Sequence, residues 1–535
     1  MANVKLNKEG LKNIIGNLSD KEIDYKLNML GIGIETITGE EIEVEIAPNR
    51  PDLLSAQGIF RALSSFLGKK PRQYKVNKPM KDYDVKIDPS VRSVRPFTAC
   101  AIVKNLKFDN EKIKEIIDIQ EKLHLTYGRN RKKIAIGIYP LEKIQLPITY
   151  SAESPEKIVF IPLEMDKELT GRQILSRHPK GRDYAYLLKD AKKYPVFRDA
   201  KGEVLSMPPI INSHLTGKIT EETKDIFIEC SGSEFPALKK TLNILVTMLA
   251  DMNGEIYGMN LHYDKKITTP DLTPEKTKIS IGECEKLLGI SLKESEVKKL
   301  LSKMGHSYNK GMVESPAYRI DILHPVDIYE DIAIAYGYDK FEPELPEVFT
   351  IGFEKPEEVK KKKIAEILNG LGLLEISTYH LVKKDDLKKI GIKEGIEVIE
   401  SKTEYNLLRP NLFVNGMTVL GENTDAKFPQ KIFELGTVFE KENNSIIEKE
   451  KLAVLLSGDT DFTEMKQILD YLMRMLDKEY KIEEAKDSNF IEGRAGKILV
   501  NSKEIGEIGE VSPLLLKSFN LKMPAVALEM EIKEI

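Results

Sequence analysis

The chain has 535 residues, of which 41% are apolar and 31% are charged, and its formal net charge is -4. This composition can bury several hydrophobic cores, excludes a disordered chain, and at about 150 residues per domain suggests three or four domains. A protein that holds nucleic acid by charge alone should be basic, so any such contact here must come from a local patch or from a partner.

The cysteines and the apolar runs narrow the cellular setting. Cys100, Cys230 and Cys284 are widely spaced and form no Cys-x-x-Cys pair, which excludes a disulfide scaffold and a thiolate zinc site and favours a reducing compartment. No apolar run approaches the roughly 20 residues of a membrane span, and the N-terminus lacks the apolar core of a signal peptide. We therefore expect a cytoplasmic protein with no membrane partner.

The first segment alternates helix and strand signals. Ser19 and Glu22 predict a capping box for a helix, and Glu41–Ile46 alternates as a strand with one apolar face. The turn Asn49–Asp52 then leads into a second predicted helix. A polar stretch near residues 70–90, rich in Lys, Pro and Asp, is typical of a connector.

Residues 95–265 form a larger mixed region. Alternating isoleucines predict a strand at 134–138, and leucines at helical spacing predict a helix over 238–249. Between them, the apolar run Leu205–Asn212 contains two adjacent prolines, which cannot lie inside a helix or a central strand. We predict a rigid extended segment that displays its neighbours.

Two further regions complete the chain. After a boundary at Thr268–Asp271, Ser291 and Glu294 predict a second capping box. The last region begins with the basic run Lys360–Lys363, which we assign to the exposed side of an amphipathic helix, and continues with a strand predicted at Ile376–Val382. Helices and strands mixed in this way predict an α+β, multidomain chain.

The densest acidic cluster contains Asp321, Asp327, Glu330 and Asp331. Because Pro325 cannot continue a helix from upstream, a new helix should start near Asp327, which places the last three carboxylates on one face. Four converging carboxylates repel one another unless a cation neutralises them, and all-oxygen ligation suits magnesium. Alternatively, Asp327 caps the helix and Glu330 completes the capping box. The spacing leaves both interpretations open.

Other motifs of catalytic chemistry are weak. The seven histidines show no metal-binding spacing, so a zinc hydrolase is not indicated. His178 lies in a basic turn that could face an anion or simply be solvated. The chain has no P-loop and no nucleophile elbow. Nothing in the sequence indicates a self-sufficient nucleotide-dependent active site.

A set of short strings spreads along nearly the whole chain: Asn49–Ser55, Gly128–Lys132, Leu205–Asn212, Tyr318–His324, Ala335–Tyr338, Leu408–Pro410, Phe433–Gly436 and Gly506–Glu510. In this order and at this spacing they resemble the beta subunits of phenylalanyl-tRNA synthetases, in the shorter archaeal and eukaryotic form. The resemblance implies a tetramer of two alpha and two beta chains that uses ATP to attach phenylalanine to its tRNA.

The same resemblance assigns the aminoacylation site to the alpha subunit. Residues 355–535 agree, because they contain neither an Arg-x-Glu at the expected strand nor a Gly-x-Gly-x-Gly followed by an ATP-binding Arg. In the family, the positions that match Asp321, Asp327, Glu330 and Asp331 bind magnesium at a site shared with the alpha subunit. The resemblance therefore favours the metal interpretation of this cluster.

The resemblance also implies an editing domain that hydrolyses mischarged Tyr-tRNA. Such a domain is needed because a pocket shaped for phenylalanine rejects an added hydroxyl by only about 10². The implied pocket residues are His178, Ser206, Pro208, Asn212, Glu229 and Ser231. This chain has Glu229–Ser233 where the family usually shows Asp-x-Thr-Gly-Thr, which changes the shape of the pocket but keeps its hydrogen-bonding types. We assign hydrolysis to a positioned water and the ribose hydroxyl of the substrate.

Together, the segment boundaries and the resemblance imply four domains: an N-terminal α+β domain at 1–90, an editing-type α+β domain at 91–268, a small acidic, winged-helix-like, metal-binding domain at 269–347, and a class II synthetase-like antiparallel-sheet domain without catalytic motifs at 355–535. The last would serve as a platform for folding and assembly. Two alternatives stay open, namely a free-standing tRNA-binding or regulatory protein and a tRNA deacylase, each without an alpha partner.

Overall fold

The structure, a computed structural model, describes residues 2–16, 18–443 and 445–535. The chain divides into two compact units, the first ending at Glu344 and the second beginning at Leu345. Both units combine helices with mainly antiparallel sheets, so the predicted multidomain α+β class is confirmed at that level. Within the described residues, no helix has the length and the apolar character needed to cross a lipid bilayer.

The first unit opens with a three-stranded antiparallel sheet of order β1-β3-β2. The Glu22 carboxylate accepts the Ser19 backbone N–H at 2.8 Å, so the predicted capping box is confirmed. The predicted strand Glu41–Ile46 is also confirmed, because it forms β3 with its alternate side chains buried. The elements are β1 (Ala2–Asn7), α1 (Lys8–Ile15), α2 (Asp20–Met29), β2 (Gly33–Ile37), β3 (Glu41–Ile46) and α3 (Ala56–Phe66).

An eleven-stranded sheet forms the centre of the first unit, with the main order β13-β12-β11-β8-β5-β15-β6-β14-β7 and with β4 and β16 paired to β15. The long helix α8 covers β6 and β14 with a largely buried apolar surface. The elements are β4 (Val76–Asn77), β5 (Asp84–Ile87), β6 (Phe97–Lys104), α4 (Asn110–Leu125), β7 (Ile134–Pro140), β8 (Ile148–Glu153), β9 (Val159–Phe160), β10 (Leu169–Thr170), α5 (Gly171–Arg177), α6 (Pro179–Tyr184), β11 (Tyr194–Arg198), β12 (Val204–Met207), β13 (Ile211–Asn212), α7 (His214–Gly217), β14 (Ile226–Gly232), α8 (Phe235–Asp251), β15 (Glu255–His262) and β16 (Lys266–Thr269).

Two expectations for this region are wrong. The polar stretch at 70–90 is not a connector, because β4 and β5 within it pair in parallel with β15 and bury Val85. The two prolines do not form an extended segment either. They make the tight turn between β12 and β13, which is closed by a 2.9 Å hydrogen bond from the Ile210 N–H to the Met207 carbonyl. The stretch at 70–90 was misread because strand pairing over long sequence separations leaves little local signal, and the proline pair because prolines suit a tight turn as well as an extended segment.

The remainder of the first unit carries a small sheet of order β17-β19-β18 beside three helices. The predicted capping box at Ser291 and Glu294 is wrong: α10 starts at Glu294, and the Glu296 carboxylate accepts the Lys293 backbone N–H at 2.8 Å. The elements are β17 (Glu275–Lys278), α9 (Ile281–Leu288), α10 (Glu294–Lys303), β18 (Ser307–Asn309), β19 (Met312–Ser315) and α11 (Pro325–Tyr336).

The second unit is built on a seven-stranded sheet of order β20-β24-β25-β29-β28-β27-β26, antiparallel except for β20. Its helices are α12 (Pro356–Gly370), α13 (Lys384–Lys389), α14 (Phe413–Glu422), α15 (Phe462–Met475) and α16 (Pro513–Ser518). Its strands are β20 (Leu374–Glu375), β21 (Leu381–Lys383), β22 (Ile396–Glu397), β23 (Tyr405–Leu408), β24 (Gln430–Glu442), β25 (Ser445–Ser457), β26 (Lys481–Glu484), β27 (Phe490–Val500), β28 (Lys503–Val511) and β29 (Ala525–Glu531).

A buried ion pair interrupts the apolar core of the second unit. The Arg409 guanidinium donates to the Glu434 carboxylate at 2.6 Å and to the Thr378 hydroxyl at 2.9 Å.

Two predictions for the second unit have opposite outcomes. The predicted strand at Ile376–Val382 is wrong, since the chain at Thr378 leaves the sheet and binds Glu434, and only short strands lie on either side. The amphipathic helix behind the basic run Lys360–Lys363 is confirmed as α12.

Candidate functional site

A cavity of about 440 Å³ lies beside β7 and β14 in the first unit. Its walls are mostly apolar. At what we call its polar end, the Tyr139 hydroxyl contacts Asn212 and Glu229, and Asn212 pairs with Ser206. The apolar wall includes Ile113, Ile116, Ala135, Ile136, Ile138, Ile210 and Ile219, and the polar lining includes Glu121, His124, Arg131, Lys180, Ser206, Asn212 and Glu229. An apolar cavity with a few convergent polar groups is the usual form of a small-molecule site.

Four of the six predicted pocket residues line this cavity: Ser206, Pro208, Asn212 and Glu229. Ser206 and Asn212 face each other across the β12–β13 pair, and Glu229 lies on β14 opposite Gly137 of β7. The sheet thus brings together residues that are widely separated in sequence. The strand pairing explains why their convergence could not be read from spacing.

The other two predicted residues do not line the cavity. His178 is buried at the end of α5, where its Nε2 lies 3.0 Å from the Leu163 carbonyl oxygen. The expectation of a basic turn that faces an anion or solvent is therefore wrong for this side chain. Ser231 is also buried, and its hydroxyl accepts a hydrogen bond from Arg95 Nε at 3.2 Å. Both residues can influence the cavity only through their neighbours.

The Glu229 side chain forms the polar end of the cavity. Only 2% of its surface is exposed, and its Oε1 accepts the Tyr139 hydroxyl at 3.3 Å. Burial raises the pKa of Glu229 to about 8, although the nearby Arg95 guanidinium opposes this change. The carboxyl is therefore mostly protonated at neutral pH and can donate a hydrogen bond as well as accept one.

Two polar atoms at this end have no hydrogen-bond partner among the described residues. They are Oε2 of Glu229 and the hydroxyl oxygen of Ser206. Unpaired buried polar atoms are costly, and they mark a place where a ligand can supply the missing partner. The space beside them depends on Gly137, where an added Cβ would lie 2.1 Å from the Tyr139 hydroxyl and 2.6 Å from Glu229 Oε1.

Arg131 organises the opening of the cavity. Its guanidinium donates to the Ile210 carbonyl at 2.8 Å and to Glu121 at 2.7 Å, and it stacks over the Tyr184 ring at 4.5 Å. It therefore ties helix α4 to the proline turn that carries Pro208. In the sequence, Arg131 stands out only as part of the resembling string Gly128–Lys132. The feature that marks Arg131 is its burial within a loop whose residues 129–131 have positive φ angles, and this feature appears only in the three-dimensional structure.

His124 lies beside this network and is neutral. Its Nε2 accepts the Ile136 backbone N–H at 2.8 Å. Burial lowers the pKa of His124 to about 4, and the adjacent Glu121 carboxylate only partly offsets this. The imidazole therefore positions β7 and does not supply a positive charge at neutral pH. In the sequence, His124 is one of seven scattered histidines without metal-binding spacing.

The four predicted metal ligands, Asp321, Asp327, Glu330 and Asp331, line a second cavity of about 510 Å³. The structure therefore brings the predicted set together. Two of them are already paired within the chain. Both Asp321 oxygens accept from Arg319, at 2.8 and 2.7 Å, and Asp331 Oδ2 accepts from the same guanidinium at 2.7 Å.

Asp331 is the most deeply buried member of this set. Its Oδ2 lies 2.6 Å from His306 Nε2. Burial alone would raise the pKa of Asp331, but the Arg319 guanidinium and His306 beside it hold that pKa well below its ordinary value. The ion pair with Arg319 already compensates the charge that a metal ion would otherwise neutralise.

The alternative interpretation, in which Asp327 is the N-cap of helix α11, is wrong: His324 is the N-cap, and Asp327 is the third helical residue, which completes the capping box. The helix begins at Pro325, and Asp327 Oδ2 accepts the backbone N–H groups of Leu323 and His324, both at 2.7 Å. Glu330 takes no part in the capping box, so that part of the interpretation is wrong. Across residues 2–16, 18–443 and 445–535, no three acidic, histidine or cysteine side chains converge in a metal-binding geometry.

These carboxylates do not form a complete magnesium site by themselves. Asp321 has both oxygens engaged by Arg319, whereas Glu330 is exposed to solvent. Magnesium requires near-ideal octahedral oxygen ligation, usually with several waters retained. The magnesium site stays a prediction that needs further ligands.

Comparison with known proteins finds matches over three parts of the chain. Three family models match: the B3/4 domain over residues 101–244, the tRNA synthetase B5 domain over residues 277–338, and the phenylalanyl tRNA synthetase beta chain CLM domain over residues 342–532. The cavity residues Ser206 and Glu229 lie within the first match, and the acidic cluster lies within the second.

Curated relatives match over almost the full length. The phenylalanine–tRNA ligase beta subunit of Pyrococcus furiosus is 41% identical, covering 91% of this chain and 90% of the relative. That of Methanocorpusculum labreanum is 35% identical over 99% of this chain and 98% of the relative. A crystal structure of an N-terminal fragment of the phenylalanyl-tRNA synthetase beta-subunit from Pyrococcus horikoshii is 37% identical, with a TM-score of 0.59, covering 62% of this chain and 99% of the fragment. The chain therefore belongs to the family of phenylalanine–tRNA ligase beta subunits.

Proposed function

We propose that this chain, together with an alpha subunit, attaches L-phenylalanine to its tRNA, using ATP and releasing AMP and diphosphate. The similarity to curated beta subunits over 91% of the chain is the observation that supports this most strongly. The proposal includes a heterotetramer of two alpha and two beta chains in the cytoplasm. It also includes an alpha subunit that carries the aminoacylation site, and the four domains at 1–90, 91–268, 269–347 and 355–535.

We further propose that the cavity beside β7 and β14 hydrolyses mischarged Tyr-tRNA. Its apolar walls suit an aromatic ring, and its polar end offers a neutral carboxyl at Glu229 and an unpaired hydroxyl at Ser206. A tyrosine hydroxyl would satisfy these groups, whereas phenylalanine would leave them buried and unpaired. Sites that hydrogen-bond a substrate hydroxyl reject the analogue without it by about 10⁴–10⁵. The cavity can therefore spare Phe-tRNA.

The serine and the histidine that line the cavity do not form a nucleophile–base pair: the Ser206 hydroxyl has no hydrogen-bond partner among the described residues, and His124 Nε2 accepts the Ile136 backbone N–H. Hydrolysis is therefore assigned to a bound water and the substrate's ribose hydroxyl. The water oxygen attacks the ester carbonyl carbon, the bond from that carbon to the ribose oxygen breaks, and the ribose oxygen takes up a proton. The products are free tyrosine and uncharged tRNA. In this scheme the protein positions the ester and excludes phenylalanine.

The direct test is co-expression of the chain with its alpha subunit. The purified complex should charge tRNA with phenylalanine and deacylate added Tyr-tRNA. Glu229→Ala should slow Tyr-tRNA deacylation at least tenfold and leave phenylalanine charging unchanged. Glu142→Ala, at an exposed position, is the matched control. Unchanged deacylation by Glu229→Ala would remove the cavity from the editing reaction.

Size-exclusion chromatography separates this proposal from its alternatives. The chain should elute with the alpha subunit at the mass of a tetramer when both are present. A chain that stays monomeric beside the alpha subunit would favour a free-standing tRNA-binding or regulatory protein. A chain that deacylates Tyr-tRNA without any partner would favour an independent deacylase.

Magnesium is kept as a proposal that rests on the partner. Glu330 has an exposed carboxylate at the cavity that also contains Asp327 and Asp331, and the alpha subunit would complete the ligand set. Equilibrium dialysis should show a magnesium ion bound to the complex that Glu330→Gln removes. Equal binding by the wild-type and Gln variant complexes would refute the assignment.

A further inference from the structure

A short stretch at the start of the second unit, residues 345–353, exposes an unusual amount of apolar side-chain surface. We name it the exposed apolar segment. Its large apolar residues are nearly fully exposed to solvent: Leu345 by 94%, Val348 by 70%, Phe349 by 99%, Ile351 by 88% and Phe353 by 94%. Single exposed apolar residues are ordinary, but five within nine positions need a physical explanation.

The pattern within the segment is that of a strand with one apolar face. Every second residue from 345 to 353 is apolar, namely Leu345, Phe349, Ile351 and Phe353, except for Glu347. In an extended chain, alternate side chains point to the same side. The backbone here is neither helical nor paired in a sheet. The segment therefore has the side-chain pattern of a half-buried strand but lacks a neighbouring strand.

The main chain is unpaired as well. Across the described part of this stretch, residues 342–354 donate and accept no backbone hydrogen bond. An extended chain with free N–H and C=O groups and an apolar face can add as a strand to the exposed edge of another sheet. Main-chain hydrogen bonds would then hold the segment, and the alternate apolar side chains would fill pockets beside that edge.

The charge around the segment argues against a second copy of this chain as the occupant. Residues 342–354 contain four glutamates, at 342, 344, 347 and 354, and no lysine or arginine. Two antiparallel copies would place these like charges against one another, which is unfavourable for cross-strand pairs. The charge pattern instead complements an edge strand bordered by lysine and arginine side chains.

The amount of apolar surface suits a stable partner. On the face that Leu345, Phe349, Ile351 and Phe353 share, these side chains present on the order of 600 Å² of apolar surface, a large part of what one partner contributes to a standard-size interface. We propose that the exposed apolar segment adds as a strand to a basic-rimmed sheet edge of the alpha subunit. This inference rests on the proposed function, which supplies the partner.

Hydrogen exchange tests the inference on the full chain and on its complex with the alpha subunit. Amides of residues 347–354 should exchange rapidly in the chain alone at every concentration, and at least 100-fold more slowly in the complex. Protection should fall on alternate amides, since only every second N–H of an edge strand faces its neighbour. Unchanged exchange in a complex that still charges tRNA with phenylalanine would overturn the inference and leave the proposed function standing.

Other outcomes are equally decisive. Protection that grows with the concentration of the chain alone would assign the segment to a second copy. Protection in the dilute chain alone would assign it to the chain's own fold, and either result overturns the inference. If no complex forms with the alpha subunit, the proposed function fails and this inference fails with it.

A matched pair of variants measures the contribution to affinity. Ile351→Ser with Phe353→Ser should weaken association with the alpha subunit about 100-fold, as expected when central apolar anchors are lost. Ile399→Ser with Leu514→Ser removes two side chains that are similarly exposed elsewhere in the second unit, and should leave the affinity within threefold of the wild type. Equal effects of the two pairs would refute a specific role for the segment.

Discussion

The carboxyl of Glu229 should make the stability of the first unit fall as the pH rises. Burial raises its pKa to about 8, from an ordinary value of 4.5. Between these values the folded chain keeps a proton that the unfolded chain releases, so the free energy of unfolding decreases with increasing pH. One pKa unit corresponds to about 1.4 kcal/mol. The loss is about 3 kcal/mol by pH 7 and approaches about 5 kcal/mol above pH 8.

Glu229→Gln removes the titrating group and keeps nearly the same shape. Relative to wild type, this variant should gain about 3 kcal/mol in unfolding free energy between pH 4.5 and pH 7. Urea denaturation at pH 5, 6, 7 and 8, followed by amide exchange in a peptide that covers β14, reports on the first unit alone. The exposed Glu142→Gln serves as the control. A wild-type–variant difference that stays constant from pH 5 to pH 8 would refute the neutral carboxyl.

Two further substitutions test other parts of the structure. Gly137→Ala places a methyl group against the Tyr139 hydroxyl and Glu229, so Tyr-tRNA deacylation by the complex should fall at least tenfold while phenylalanine charging is retained; a wild-type deacylation rate would contradict the proposed site. Arg409→Met leaves Glu434 buried without its counter-charge, which should lower the unfolding free energy of the second unit by about 3–5 kcal/mol in urea denaturation. Adding Glu434→Gln should recover part of that loss, and a double variant as unstable as the single one would indicate that packing, not charge, is responsible.

The sequence predicted the helices and strands whose signals are local. The capping box at Ser19, the alternating strand Glu41–Ile46 and the amphipathic helix behind Lys360–Lys363 all form as expected. The misreading of the polar stretch at 70–90 has a clear physical cause. Strands β4 and β5 are short, and their neighbouring strands are distant in sequence: β15, nearly 180 residues later, pairs with both, and β8 pairs with the other side of β5. Such pairing overrides local propensity.

The acidic cluster was also predictable only in part. The acidic spacing correctly placed Asp327 and Asp331 on one helix, but it could not reveal that Arg319 would compensate Asp321 and Asp331. Arg319 lies on an irregular stretch before α11, and its reach to both carboxylates depends on the path of the chain around His306. A cluster that looks uncompensated in sequence is therefore largely compensated in the fold.

The polar end of the proposed editing cavity gives a physical reason why aminoacylation and editing need separate pockets. The pocket that binds phenylalanine for aminoacylation must be apolar, and such a pocket discriminates against a substrate with an added hydroxyl by a factor of only about 10². The reverse selection is stronger, because a buried carboxyl and hydroxyl, such as Glu229 and Ser206, remain unpaired when phenylalanine enters. Two pockets with opposite polarity multiply their selectivities, whereas no single pocket can be both apolar enough to favour phenylalanine and polar enough to capture tyrosine. This selectivity requires a neutral Glu229. An ionised carboxylate at this depth could also accept the tyrosine hydroxyl. However, any cationic group could stabilise it instead, so it would not depend on that hydroxyl for its partner.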